Sequence, residues 1–275
     1  RNHGVLTSAA DVSYDAPKPV ARTFDADVYK KRVYFGVGKP QPEHALKFGP
    51  NITEWPKIPA LSENLLMQVA SVLRDPVTTT DELIPSGETS SFRSNPLRLA
   101  EFTLSRKDPA YVPNAKAVKA LNEQRKAGEL PAEVARVYDD LKELGYAPDA
   151  ANTNIGSAIF ANKPGDGSAR EQAASCQRVL GAGANIVNEY ATKRYRSNLI
   201  NWGMLPFQLN GAAPFGLGDY ILIPHVREAL KGDLQNIPAY VLGEEVKPFA
   251  LYMAPLTSDE REILADGCLI NYYKH

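Results

Sequence analysis

Between residues 64 and 253, apolar runs of strand length alternate with amphipathic helical patterns. That alternation restricts the chain more than any other feature, because strands separated by helices favour an α/β arrangement. The run Asn64-Leu65-Leu66-Met67-Gln68-Val69-Ala70-Ser71-Val72-Leu73 has the length and apolar content of a buried strand. A helix with Asn114 as its cap presents Ala117, Val118 and Leu121, and Gly128 can end it. A second helix opens near Pro131 and sets Val134, Val137, Tyr138, Leu141 and Leu144 on one face before Gly145. Ser157 to Ala161, Asn185 to Tyr190, Tyr220 to Ile223, Ala239 to Leu242 and Phe249 to Met253 read as further strands. Lys193 to Trp202 reads as a helix stopped by Gly203. The last helix opens on the capping box Thr257-Ser258-Asp259-Glu260 and ends at Gly267.

The first 60 residues are rich in Pro, Lys and aromatics and lack such a period. A short strand over Val33 to Val37 and a surface connection over Pro40 to Pro59 are expected there. Gly36-Val37-Gly38-Lys39 lacks the spacing of a phosphate loop. The irregular stretch Arg74 to Pro96 is long for a compact domain, and such stretches are more often functional than idle. The chain starts at Arg1, which suggests a piece of something longer.

Charge excludes some functions. The 31 Lys and Arg against 32 Asp and Glu give a net charge of −1, without the basic excess of a dedicated nucleic-acid binder. No apolar run approaches the roughly 20 residues of a membrane span, so neither nucleic acid nor a membrane is an expected partner. Cys176 and Cys268 are too few for a disulfide framework or for a cluster held by this chain's own thiolates. They read as reduced, half-buried thiols in a reducing, cytoplasmic setting. No His or Cys pair has metal-ligand spacing. His3 and His275 read as solvated termini, and His225 reads as a helix-start residue.

The loop Asn162-Lys163-Pro164-Gly165-Asp166-Gly167-Ser168 leads from a strand into a helix that continues to about Leu180. A helix starting at Ser168 would gather free backbone N–H groups and partial positive charge at one point, where carboxylates or phosphates bind. Arg170 adds a bidentate cation. Ser168-x-x-Glu171 can equally be a capping box that serves stability alone. Asp166-Gly167-Ser168-Ala169-Arg170 has Arg where a serine hydrolase elbow needs its second Gly.

Gly165-Asp166-Gly167-Ser168-Ala169-Arg170-Glu171-Gln172-Ala173-Ala174 resembles the G-x-G-S-S-R-E-H-A-A signature of the aconitase superfamily swivel domain. Three further segments agree in order. Thr79-Thr80-Asp81-Glu82-Leu83-Ile84-Pro85 resembles the family's T-T-D-H-I-S and T-D-x-I-I-P forms, and Arg93 lies 12 residues after Asp81. Ser197-Asn198-Leu199 with Gly203-Met204-Leu205-Pro206-Phe207 resembles S-N-L-x-x-x-G-x-L-P-L, and Ile263 to Tyr272 is similar to the closing helix.

The resemblance implies a three-layer β/β/α swivel domain over residues 61–275, with residues 1–60 as a connecting extension. It implies that Ser168 is the catalytic base that moves a proton at substrate carbon, supported by Arg170. Arg93 would bind a substrate carboxylate, and Asp81 would pair with a His of another domain. The activity implied is a hydro-lyase acting on a hydroxy-polycarboxylate. Its 4Fe-4S cluster would be bound by domains absent from this chain and serve as Lewis acid, so the isolated chain would be inactive. Ala169, Gln172 and Glu82 depart from the signature and leave the substrate open. Two alternatives are a separate small subunit of the isopropylmalate isomerase type and a non-catalytic RNA-binding or regulatory relative.

Overall fold

The structure is a computed structural model that describes residues 3–15, 17–32, 36–129, 131–146 and 152–274. They fall into two compact units, Arg1–Lys47 and Phe48–His275. The first holds a single 3₁₀ turn, Ala9–Asp11, and one helix, α1 (Asp27–Arg32), among its described residues. The strand expected over Val33 to Val37 falls mainly on residues 33–35, outside the described residues, as does His275.

The second unit is built on seven strands: β1 (Asn64–Leu73), β3 (Thr153–Ala161), β5 (Ala182–Val187), β6 (Leu205–Gln208), β7 (Tyr220–Ile223), β8 (Ile237–Leu242) and β9 (Lys247–Leu251). They form one mixed sheet in the order β6-β5-β3-β1-β7-β8-β9. The first four are parallel, and β7, β8 and β9 run antiparallel as a meander. β1 is central and bulges between Val69 and Ser71. A separate two-stranded ribbon pairs β2 (Thr78–Thr79) with β4 (Pro164–Asp166) in parallel.

The helices are α2 (Thr80–Leu83), α3 (Pro96–Ala100), α4 (Tyr111–Lys126), α5 (Ala132–Glu143), α6 (Arg170–Val179), α7 (Lys193–Asn201), α8 (Val226–Ala229), α9 (Ser258–Asp266) and α10 (Leu269–Tyr272). Side chains alternate across a strand. Leu65, Met67 and Val69 of β1 therefore enter one core with Phe160, Phe207 and Ile263, while Leu66 enters another with Val134, Val137 and Leu141. The stripe on α5 contributes four buried side chains, each worth about 1.5–3 kcal/mol of burial when fully removed from water. Among the described residues no helix is long and apolar enough to cross a membrane.

Three expectations shift. Asn114 does not cap α4: the helix begins at Tyr111 behind Ala110, and the Asn114 side chain donates to the Ala70 carbonyl at 3.2 Å, tying helix to sheet. The strand expected over Asn185 to Tyr190 lies at Ala182–Val187, because Gly183 gives no side-chain signal yet packs against Leu65. Cys176 and Cys268 are fully buried rather than half-buried. Burial pushes the Cys176 thiol up to about 12. The irregular stretch after Arg74 contains β2, α2 and α3.

Candidate active site

Two glycines set the loop before α6. Gly165 has φ +97°, and a Cβ there would lie 2.4 Å from the Tyr195 ring. Gly167 has φ +129°, and a Cβ would lie 2.2 Å from Thr80 Oγ1. Only glycine suits such backbone and such proximity. The Tyr195 ring is itself fixed, since its hydroxyl accepts from Gln177 Nε2 at 2.9 Å and Asn185 Nδ2 at 2.8 Å. Thr192 Oγ1 donates to the Gly165 carbonyl at 3.1 Å.

Ser168 is exposed beyond this turn. The expected capping box at Ser168 does not form. α6 begins at Arg170 with Ala169 as N-cap and no side-chain capping bond. The Glu171 carboxylate accepts instead from Trp202 Nε1 at 2.5 Å. With its amide oriented as the neighbouring groups require, Asn198 accepts from the Glu171 N–H at 3.1 Å and donates to the carboxylate at 3.2 Å. The Ser168 hydroxyl is thus left unspent by the helix.

An open cleft of about 390 Å³ lies at this point. The α6 side contributes Ser168, Arg170 and Glu171, and α7 contributes Lys193, Arg194, Ser197 and Asn198. The Arg170 Nε is buried and makes no hydrogen bond. The α7 residues lie one turn apart on one face, which is the signal that could have placed them beside Ser168; the sequence reading used only Ser197 and Asn198, as part of a motif.

Asp81 and Arg93 lie outside that lining. The β2–β4 ribbon, with Thr79 opposite Asp166, sets α2 next to the Ser168 turn, so Asp81 is on an adjacent element. Asp81 is exposed and accepts from the Ser86 N–H at 3.2 Å and from Arg106 at 3.0 Å. Arg106 also pairs with Glu88. Arg93 is exposed at the end of the 3₁₀ turn Ser90–Phe92 and has no ion pair among the described residues.

Two of the three departures from the signature, Glu82 and Ala169, have local partners. Glu82 closes a capping box with Thr79, accepting from its N–H at 2.7 Å, and pairs with Lys107 at 3.0 Å. The Thr79 N–H, then Lys107, hold the Glu82 carboxyl below its ordinary range. Ala169 packs against the core under α6. The side chains fit no iron–sulfur cluster, since both thiols are buried and lie on separate elements.

Residues 133–212 match the family model for the aconitase C-terminal domain. That stretch of the chain is similar to the aconitase C-terminal domain. The matched stretch includes β3, β4, α6, β5, α7 and β6, and so the whole cleft. Among solved structures, the domain is similar to a 3-isopropylmalate dehydratase (leuD) from Methanocaldococcus jannaschii. That likeness has 21% identity and a TM-score of 0.46, and it covers 78% of this chain and 94% of the other. No curated protein sequence matches the chain.

Proposed function

We propose that this chain is the swivel part of an aconitase-like hydro-lyase, which removes water from a hydroxy-polycarboxylate and re-adds it. The observation that carries the reading is the Gly165-x-Gly167 turn, which leaves the Ser168 hydroxyl uncapped in a cleft of cations within the matched stretch. Residues 61–275 make up the swivel domain, and residues 1–60 connect it to the rest of the enzyme.

In this reading Ser168 takes the proton from substrate carbon. An alkoxide is costly in water, so its formation needs donors already in place. The N-terminal N–H groups of α6 and the Arg170 guanidinium supply them. Arg93 binds a carboxylate from the α2 side of the cleft, and Asp81 orients a His from another domain. The iron–sulfur cluster belongs to domains outside this chain, which are its principal partner, and two inert thiols suit a reducing cytoplasm.

Assembly with the cluster-bearing domains, followed by Ser168→Ala, tests this. Turnover is expected to fall by about 10²–10⁴, the range of a lost general base, with unchanged melting temperature because Ser168 is exposed and caps nothing. Arg93→Lys is expected to raise KM, since Lys lacks the bidentate fork. Near-wild-type kinetics in both variants would sink the assignment. The Asp81-Glu82-Leu83-Ile84-Pro85 form favours a second reading, a separate small subunit of an isopropylmalate isomerase type. The intact mass of the natural gene product separates the two.

A further inference from the structure

Glu63 stands just before the start of β1, whereas Ser168 follows the far end of β3, which runs parallel to β1. The ten residues of β1, at about 3.3 Å each, set its two ends about 30 Å apart. At the β1 start, Glu63, His225 and Glu228 each offer one ligand atom, and these atoms lie within 4.8 Å of one another. The backbone holds the three in place. The Val226 N–H donates to the Glu63 carbonyl at 2.8 Å, and the His225 N–H donates to Oδ1 of the buried Asn64 at 3.0 Å. Glu228 lies three residues after His225 in α8 and so shares its face. His225 has φ 48° and ψ 36°, left-handed backbone in which glycine would be less strained. The turn therefore presents an imidazole where the backbone alone favours no side chain. Tyr146 packs beside that ring, with centroids 5.7 Å apart. Neither carboxylate has a Lys or Arg partner among the described residues. Arg227, next to His225, donates instead to the Leu61 carbonyl at 2.9 Å. Two carboxylates thus crowd one imidazole, and no described Lys or Arg offsets their repulsion.

We infer that Glu63, His225 and Glu228 bind one divalent transition-metal ion, with Zn²⁺ the best match. Zinc accepts an imidazole nitrogen and carboxylate oxygens, whereas a hard ion such as Mg²⁺ prefers oxygen donors alone. Tetrahedral bonds of about 2.0–2.2 Å need donor atoms about 3.3–3.5 Å apart. His225 Nδ1 and Glu63 Oε1 already stand 3.3 Å apart. Glu228 is exposed, so a rotamer change closes its gap without moving the backbone. Water completes the fourth position. The ion ties the residue before β1 to the corner after β7, and so pins the antiparallel meander to the central strand. Its role is structural, since it sits at the far end of β1 from the cleft, and the inference is independent of the hydro-lyase reading. The sequence hides the site because Glu63 and His225 are 162 positions apart. The remaining pattern, His225-x-x-Glu228, is one that a surface helix carries without any metal.

The test is a calorimetric titration of the 275-residue chain, stripped with EDTA and dialysed, with ZnCl₂. One equivalent is expected to bind with a Kd in the micromolar range, and a large excess of MgCl₂ is expected not to displace it. Glu63→Gln and Glu228→Gln should each weaken binding about tenfold, and His225→Gly about a hundredfold. Glycine suits the left-handed turn, so His225→Gly is expected to fold, which its metal-free thermal unfolding checks. Zinc should raise the unfolding midpoint of the parent chain and leave that of His225→Gly unmoved. CoCl₂ in place of zinc should give visible absorption that His225→Gly lacks. His44→Ala, at an exposed histidine of the leading unit, should change none of these readings. Absence of binding, full affinity in His225→Gly, loss of affinity in His44→Ala, or displacement by MgCl₂ each overturns the site. If His225→Gly does not fold, the two Gln variants decide, and unchanged affinity in both overturns it.

Discussion

Glu82 shows how one residue can leave a familiar pattern without disturbing the fold. It stands where the resembled signature carries His, and it serves as the capping acid of α2 and as the partner of Lys107. Its carboxyl is held below the ordinary 4.5, so it stabilises the folded chain above that pH and loses the contribution as pH falls through the lowered value. Glu82→Gln is expected to cost about 0.5–1 kcal/mol at neutral pH, a modest figure because the side chain is about one-third exposed. Urea unfolding of both proteins should show the gap narrowing as the pH drops below 4.5. A gap that stays constant with pH would place the effect elsewhere.

Among the elements, α6 and α7 deserve comparison because they hold the cleft between them. The turn before α6 depends on Tyr195 of α7: Gly165 rests against its ring, and its hydroxyl receives Gln177 and Asn185. Tyr195→Phe removes that acceptor and leaves two buried amides without it. The expected loss is about 1–3 kcal/mol of stability, measured as a lower midpoint in thermal unfolding. The strands β1, β7 and the α9 capping box were legible from the sequence because each pattern is local: an apolar run, or Thr257 three residues before Glu260. The ribbon β2–β4 was not, because it joins Thr78 to Pro164 across the whole crossover and each partner is only two or three residues long. The same distance hid the cleft. Ser168 and Arg170 were readable as a motif, whereas Lys193 and Arg194 gain meaning only when α7 packs beside α6. Ser168-x-x-Glu171 misled for a related reason, since Glu171 finds a tertiary partner in Trp202 that no local rule reveals.

At the scale of the molecule, the three apolar cores contain, among the described residues, none before Ile58. The described part of Arg1–Lys47 is almost wholly exposed and forms its own unit. A chain of residues 48–275 is therefore expected to unfold with the same midpoint and the same denaturant slope as the full chain. A drop of many degrees in the shortened chain would mean that the leading segment contributes to the core.

The two tryptophans of the chain stand together. Trp55 packs on Trp202 with ring centroids 4.4 Å apart and planes tilted by 34°, and the Trp202 indole N–H is held by Glu171, a residue of the cleft wall. The Trp202 indole therefore lies one hydrogen bond from the cleft wall, with Trp55 packed against it. Charge arriving beside Glu171 alters the field at that indole, so the colour and intensity of its light become an optical gauge of occupancy. Titration with a tricarboxylate should shift the emission, and Glu171→Gln should blunt the response. The fold thus places a built-in optical reporter beside the cleft.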